Sequence, residues 1–222
     1  LPVTEYTNDH YVFMATSNGT VKKTVLTNFA RQRSVGLRAI ELDEGDELVG
    51  TAITDGSHDV MLVSTSGKTI RFKEVDVRPM GRTARGVRGI KMGDEYRMIA
   101  LIIPQNNRQI LTVSENGYGK RTKVEDFPVY GRGGQGVIGI QTNDRNGGVV
   151  GAVQVSDADE IMLISDKGTL VRTRVKEVSV QGRNTMGVRL IRLKEGEKLV
   201  GLEQVDEPPD EENDQASSEE IK

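Results

Sequence analysis

The chain contains no cysteine, which rules out a disulfide framework and any thiolate metal site and suits a reducing cytoplasm. Tryptophan is also absent and aromatic residues make up only 4% of the sequence, too few for a stacking platform along single-stranded nucleic acid. Two histidines occur, His10 and His58; neither recurs or sits among candidate ligands, and both read as surface turn residues. No apolar run approaches the roughly 18 residues of a membrane-spanning helix, and no signal peptide precedes the first apolar segment. The chain starts at Leu1 rather than Met and reads as an internal piece of a longer protein.

What the sequence has in quantity is repetition. Turn glycines at Gly19, Gly67, Gly117 and Gly168 stand 48, 50 and 51 residues apart. A second glycine recurs at Gly36, Gly86, Gly136 and Gly187, and an apolar pair closes each unit at Leu48-Val49, Met98-Ile99, Val149-Val150 and Leu199-Val200. Self-similarity at about 50 residues predicts blade repeats, in which each unit is a small sheet that stacks on its neighbours to bury both faces.

Each unit reads as four short strands, in the first unit 11–16, 20–26, 35–42 and 47–54, because Val, Ile, Leu and Thr fill these runs and turn residues separate them. Asn18-Gly19 and Asn116-Gly117 are tight-hairpin signals, since glycine takes positive φ without steric cost. The fold class expected is therefore all-β, four four-stranded blades over residues 1–205, with residues 1–6 matching the last strand of a preceding blade. From Asp206 to Lys222 the composition is that of a disordered acidic tail.

The net charge of −3 hides a strong asymmetry. Residues 203–222 hold nine acids and one base, leaving 29 bases against 24 acids before them, a net of +5. Between Thr20 and Ile40 there are five bases and no acid, whereas Glu41 to Glu47 carries five acids and no base, so separate basic and acidic stripes are expected.

The cations keep the register of the repeat. Four residues after each turn glycine stands Lys23, Arg71, Arg121 or Arg172, and two further on Lys73, Lys123 and Arg174 share their strand face. Lys22 and Lys120 precede the first of these positions in two units. The following loops add Arg31, Arg33, Arg82, Arg85, Arg132 and Arg183, and just beyond the second glycine come Arg38, Arg88 and Arg189, with Ile138 interrupting the series. Single charges of this kind are ordinary solvated strand edges. Their recurrence points instead to a line of phosphate contacts on duplex DNA, bound through its backbone, with Gly-rich loops offering close approach and N–H groups.

Other motif matches lack their context. Gly131 to Gly136 satisfies G-x-G-x-x-G but leads into a strand rather than a helix. Gly67-Lys68-Thr69 resembles the end of a phosphate-binding loop, yet Leu62 stands where its first glycine is required. The acidic runs 43–46 and 157–160 lack calcium-loop spacing and read as solvated turns. No repeated loop gathers the carboxylates or histidines of acid-base catalysis, so no catalytic residue, metal or cofactor is expected in this chain.

Four segments carry a family resemblance: 16–24 (TSNGTVKKT), 116–122 (NGYGKRT), 149–155 (VVGAVQV) and 168–175 (GTLVRTRV). Together they resemble the C-terminal domain of the bacterial DNA gyrase A protein over essentially residues 1–205, and an acidic tail after the last repeat is similar to that family too. The resemblance implies a β-pinwheel whose basic outer rim wraps duplex DNA and imposes writhe. It also implies a parent ATP-dependent type II topoisomerase that introduces negative supercoils, with two A and two B subunits, in the cytoplasm at the nucleoid and not in a membrane. The rim residues it implies are the cations named above from Lys22 to Arg189.

Two departures from that family stand out. It has six blades where this chain has four, and its heptapeptide Gln-Arg-Arg-Gly-Gly-Lys-Gly is matched here only by Tyr130 to Gly136, through Arg132, Gly133, Gly134 and Gly136. The corresponding domain of the topoisomerase IV A protein and a protein-binding propeller are the alternative readings, and the tail reads either as a competitor of DNA for the rim or as a merely solubilising terminus.

Overall fold

The computed structural model describes residues 2–31 and 34–205. Its first unit supplies β1 (Tyr11–Thr16), β2 (Thr20–Val25) and β3 (Leu48–Thr54). The second supplies β4 (Asp59–Ser64), β5 (Lys68–Lys73), β6 (Val87–Arg88) and β7 (Met98–Ile102), and the third β8 (Gln109–Ser114), β9 (Tyr118–Lys123), β10 (Val137–Ile138) and β11 (Val149–Val155). The fourth supplies β12 (Glu160–Ser165), β13 (Leu170–Arg174), β14 (Val188–Arg189) and β15 (Leu199–Gln204). The architecture is all-β, with the repeat legible in every hairpin.

The sheets are not closed within their units. Their strand orders are β3-β1-β2-β6, β7-β4-β5-β10, β11-β8-β9-β14 and β13-β12-β15, all antiparallel. The short strands β6, β10 and β14 each leave their own unit and pair with the preceding sheet, as Thr20↔Arg88, Lys68↔Ile138 and Tyr118↔Arg189 show. Units two to four have the four strands expected of them, but the third strand of each completes the sheet before its own, and the first unit has three strands. Residues 35–42 form no strand, and neither do residues 2–10, because a short extended segment is stable only where a sheet edge offers it partners.

The second glycine of each unit makes this exchange possible. A Cβ on Gly86, Gly136 or Gly187 would lie 2.5, 2.4 or 2.4 Å from a backbone carbonyl oxygen of the preceding unit, and all three glycines have positive φ. A parallel bridge strengthens each crossing, pairing Lys23 with Pro79, Arg71 with Val129 and Arg121 with Val180.

Three apolar cores lie between consecutive sheets. Phe13 and Val21 pack with Leu62, Phe72 and Ile90, Met61 and Val63 with Ile110 and Phe127, and Leu111 and Val113 with Leu163 and Val178. A blade therefore buries its faces only by stacking, as the repeat length required. Strands β3, β7, β11 and β15 pack against one another in series, which puts β6, β10 and β14 at the opposite, outer edge of their sheets. Among the described residues no helix is long and apolar enough to cross a membrane. The acidic tail, like Arg33, lies outside the described residues.

Candidate nucleic-acid interface

The outer edge carries the exchanged strands and the loops that lead into them. Arg88 and Arg189 are exposed there in β6 and β14, Ile138 occupies the same place in β10, and Arg38 is exposed at the equivalent position of the first unit. Arg31, Lys123 and Arg132 are exposed as well, and none of these six cations forms an ion pair among the described residues. Arg132 is held in place by Asp76 and Arg88 carbonyls, to which its Nε and a terminal nitrogen donate at 2.9 and 3.0 Å. Arg183 donates to the Ile138 carbonyl at 3.1 Å, and Arg82 is half-buried like it.

The most regular series of cations has a different task. The Lys23 ammonium lies 3.6 Å from the Glu74 carboxylate and donates to the Glu74 carbonyl. Arg71 binds Asp59 through two nitrogens and donates to the Val124 and Phe127 carbonyls. Arg121 donates to the Val178 carbonyl at 2.7 Å and pairs with Gln109 and Asp157. Each of the three crosses to the 3-10 turn that follows the second strand of the next unit, at 74–76 or 124–126, or, for Arg121, to Val178 directly after the turn at 175–177. The repeat of cations four residues after the turn glycine is thus a repeat of clamps between blades. Arg172 in the last unit pairs with Glu160 instead.

Lys22 and Lys120 go deeper still, with no solvent exposure at all. The Lys22 ammonium donates to the Ala39 and Arg82 carbonyls at 2.6 and 2.5 Å. That of Lys120 donates to the Gly182 and Arg183 carbonyls and to the Thr185 hydroxyl. Burial, with help from the nearby Arg82 or Arg183 charge, pushes each of these lysines down to about 8. Ile70 and Val171 replace them in the other units.

These placements correct the sequence-derived interface. Lys22, Lys23, Lys120 and Arg121 are buried, so a phosphate has no access to them. Lys73 shares Asp59 with Arg71, Arg85 pairs with Glu41 and Asp43, and Arg174 lies against Glu160, so these exposed cations already have carboxylate partners. The glycine-rich loop at 131–136 is also spent internally. Gly133 donates its N–H to the Gly89 carbonyl at 2.7 Å, and the Gly134 carbonyl accepts from Lys91 at 2.8 Å. Gly136 is required for close approach to the neighbouring unit, where a Cβ would lie 2.4 Å from the Thr69 carbonyl oxygen, and the Gly133 amide is not free for an anion.

Sequence reasoning missed Lys91 and Arg192, both exposed, each five residues beyond the second glycine and beside β6 or β14. Their common register was a signal, but Glu41 and Gln141 at the same position conceal it. It also missed Arg145, which belongs to a loop one residue longer than its counterparts. The acidic loops turn out to fasten hairpins: Asp46 accepts from the Ser17 hydroxyl and the Asn18 amide, and Glu197 from the Ser165 hydroxyl. The Ser165 and Thr169 hydrogen bonds hold the Glu197 carboxyl down to about 2.

Comparison with known proteins agrees with this architecture. A family model described as "DNA gyrase C-terminal domain, beta-propeller" matches residues 10–55, 58–105, 108–156 and 159–206, one match per unit. The DNA gyrase A protein of Salmonella typhimurium is 58% identical over 212 residues, covering 96% of this chain and 24% of that protein. The chain therefore spans about a quarter of the length of such relatives. Among solved structures, a DNA gyrase A C-terminal domain superposes with a TM-score of 0.79 at 29% identity, over 91% of this chain and 68% of that one. The C-terminal domain of a DNA topoisomerase IV gives 0.85 at 26% identity, over 92% and 64%.

Proposed function

The chain belongs to the family of DNA gyrase C-terminal β-propeller domains, and from that premise we propose that it binds duplex DNA along the outer edge of its blades, bending and wrapping it without catalysing a reaction. The observation that carries this reading is the placement, at successive blade junctions, of cations without carboxylate partners among the described residues: Arg88 at the first, Arg132 at the second and Arg189 at the third. Each neutralises backbone phosphate and releases condensed counterions, so the edge gains affinity without reading sequence.

Several junctions must act together. Bending a site of 20 to 30 base pairs by 40° to 90° costs about 1 to 6 kcal/mol by elastic estimates, more than the cations of one junction sustain. The writhe so fixed serves a type II topoisomerase that uses ATP to introduce negative supercoils, assembled from two A and two B subunits in the cytoplasm and at the nucleoid. The 58% identity to a gyrase A protein favours that enzyme over topoisomerase IV as the parent. The test is binding to duplexes long enough to cross all junctions and to duplexes that cover one. Tighter, steeply salt-dependent binding of the long duplex supports wrapping, and equal, salt-insensitive affinities refute it.

A further inference from the structure

At the third junction the repeat breaks its own charge pattern. Where the other units place two or more acids between the exchanged segment and the last strand, such as Asp43, Glu44 and Asp46 or Glu195 and Glu197, the third unit has the longer loop Asn143-Asp144-Arg145-Asn146-Gly147-Gly148, in which one acid, Asp144, is followed by an arginine. This loop is fastened from within. The buried Asn146 side chain accepts from the Asn143 amide and donates to the Gln141 carbonyl, and the Asn143 side chain accepts from the Arg145 amide at 2.9 Å. Asn116 donates to the Asp144 and Arg145 carbonyls from the hairpin turn. The backbone of Arg145 is thereby fixed before any ligand arrives.

Its side chain meets that of Arg189 on one phenol. The Arg145 Nε and a terminal nitrogen of Arg189 both donate to the Tyr118 Oη, at 3.0 and 2.9 Å. Their guanidinium carbons lie 5.5 and 5.4 Å from the centroid of the Tyr118 ring, and Tyr118 as a whole residue is only 4% exposed. The two hydrogen bonds hold the Tyr118 hydroxyl below its ordinary value, as a concentrated positive potential should. Neither arginine has a carboxylate partner among the described residues. Each guanidinium carries five N–H donors and gives one to the Tyr118 hydroxyl, and both arginines line, with Tyr118, Val188 and Arg192, an open groove of about 610 Å³.

Two like charges drawn to one oxygen repel each other, and an anion in the groove relieves that repulsion while accepting paired hydrogen bonds from both forks. We propose that Tyr118, Arg145 and Arg189 form a phosphate-capture pocket that grips a single phosphodiester of the DNA backbone at the third junction. The inference rests on the reading of the outer edge as the DNA-binding surface, since Arg189 lies in the exchanged strand β14 of that edge. Tyr118 is the positioning residue: its ring supports both guanidiniums and its oxygen sets their spacing.

The experiment measures the slope of log Kobs against log salt for a long duplex, with melting temperatures recorded alongside. Arg145→Gln, Arg189→Gln and the double variant should each lower the slope's magnitude by about 0.9, because both side chains serve one phosphate. A fall of about 1.8 in the double variant would assign separate phosphates and overturn the shared pocket. Lys176→Gln, which removes one exposed charge from the last 3-10 turn, should leave the slope nearly unchanged. An equal fall there would reduce the effect to net charge and overturn the proposal. If Arg88→Gln lowers the slope and Arg145→Gln does not, the pocket is refuted while DNA binding stands; if wild-type binding itself is insensitive to salt, the DNA reading fails first. Inorganic phosphate should shift the Tyr118 ring resonances in the wild type and not in the double variant. A phosphate shift accompanied by unaltered DNA slopes would assign the pocket to a free anion and overturn the DNA source.

Discussion

The Lys23 ammonium lies 3.6 Å from the Glu74 carboxylate, across the boundary between the first and second units, with the two side chains 5% and 0% exposed. The Thr54 hydroxyl donates to the same carboxylate at 2.6 Å, and the Lys23 ammonium stands 4.7 Å from the centre of the Tyr11 ring. A cation in this setting joins blades. It follows that cations of this chain divide into clamps and rim charges, and that the two groups should respond to different measurements.

Lys23→Met leaves the Glu74 carboxylate buried beside an apolar chain and should destabilise the fold by about 3 to 5 kcal/mol. Lys23→Met combined with Glu74→Leu should recover much of that loss, because no uncompensated charge remains. Urea unfolding of the two variants against the wild type checks the order, and a double variant as unstable as the single would refute the assignment.

Arg121→Met should lower the melting temperature and leave the salt dependence of DNA binding unchanged, since its guanidinium is occupied by the Val178 carbonyl and Asp157. Arg88→Gln and Arg132→Gln should do the reverse: little change in stability, within about 0.5 kcal/mol for exposed sites, and a fall of roughly 0.9 in the salt slope for each phosphate no longer neutralised. Measuring melting and binding on the same three variants separates the classes.

Gly136→Ala introduces a Cβ 2.4 Å from the Thr69 carbonyl oxygen at a φ of +70°. Gly36→Ala imposes the same left-handed strain, φ +73°, with no atom of the described residues within 4 Å of the new methyl group. The second variant should cost about 1 to 2 kcal/mol from backbone strain alone, and the first distinctly more. Denaturant midpoints test the difference, which measures the intimacy of the strand exchange.

Lys22 and Lys120 make stability depend on alkaline pH. Their folded values near 8 lie below the ordinary 10.5, so between these limits the unfolded chain binds more protons than the folded one. Stability should therefore rise with pH from about 8 towards 10.5. Lys22→Met and Lys120→Met should flatten that rise in thermal melts taken across the window, and a rise of wild-type size in the double variant would refute their role.

Much of the fold was legible in the chain itself. Gly19, Gly67, Gly117 and Gly168 mark hairpins in which φ is positive, and the apolar strands beside them form the cores. The second glycines marked the crossings between units, although their spacing did not say that Val87–Arg88 would pair with the sheet before its own. A two-residue strand has no hydrophobic period to reveal its partner; the free edge of the preceding hairpin selects it.

The interface divides along the same line. Position in the repeat fixes equivalence, so the sequence determined that Lys23, Arg71 and Arg121, four residues after the turn glycine, are equivalent and that Arg38, Arg88 and Arg189, two residues after the second glycine, are equivalent. Only the tertiary structure decided that the first group is covered by the next blade and the second is left at the edge. The partners that settle the matter, Glu74 for Lys23 and Val178 for Arg121, are 51 and 57 residues away in the chain. Whether a cation meets water, carbonyl or phosphate depends on what stacks over it, and stacking is a property of neighbouring units that no single repeat contains.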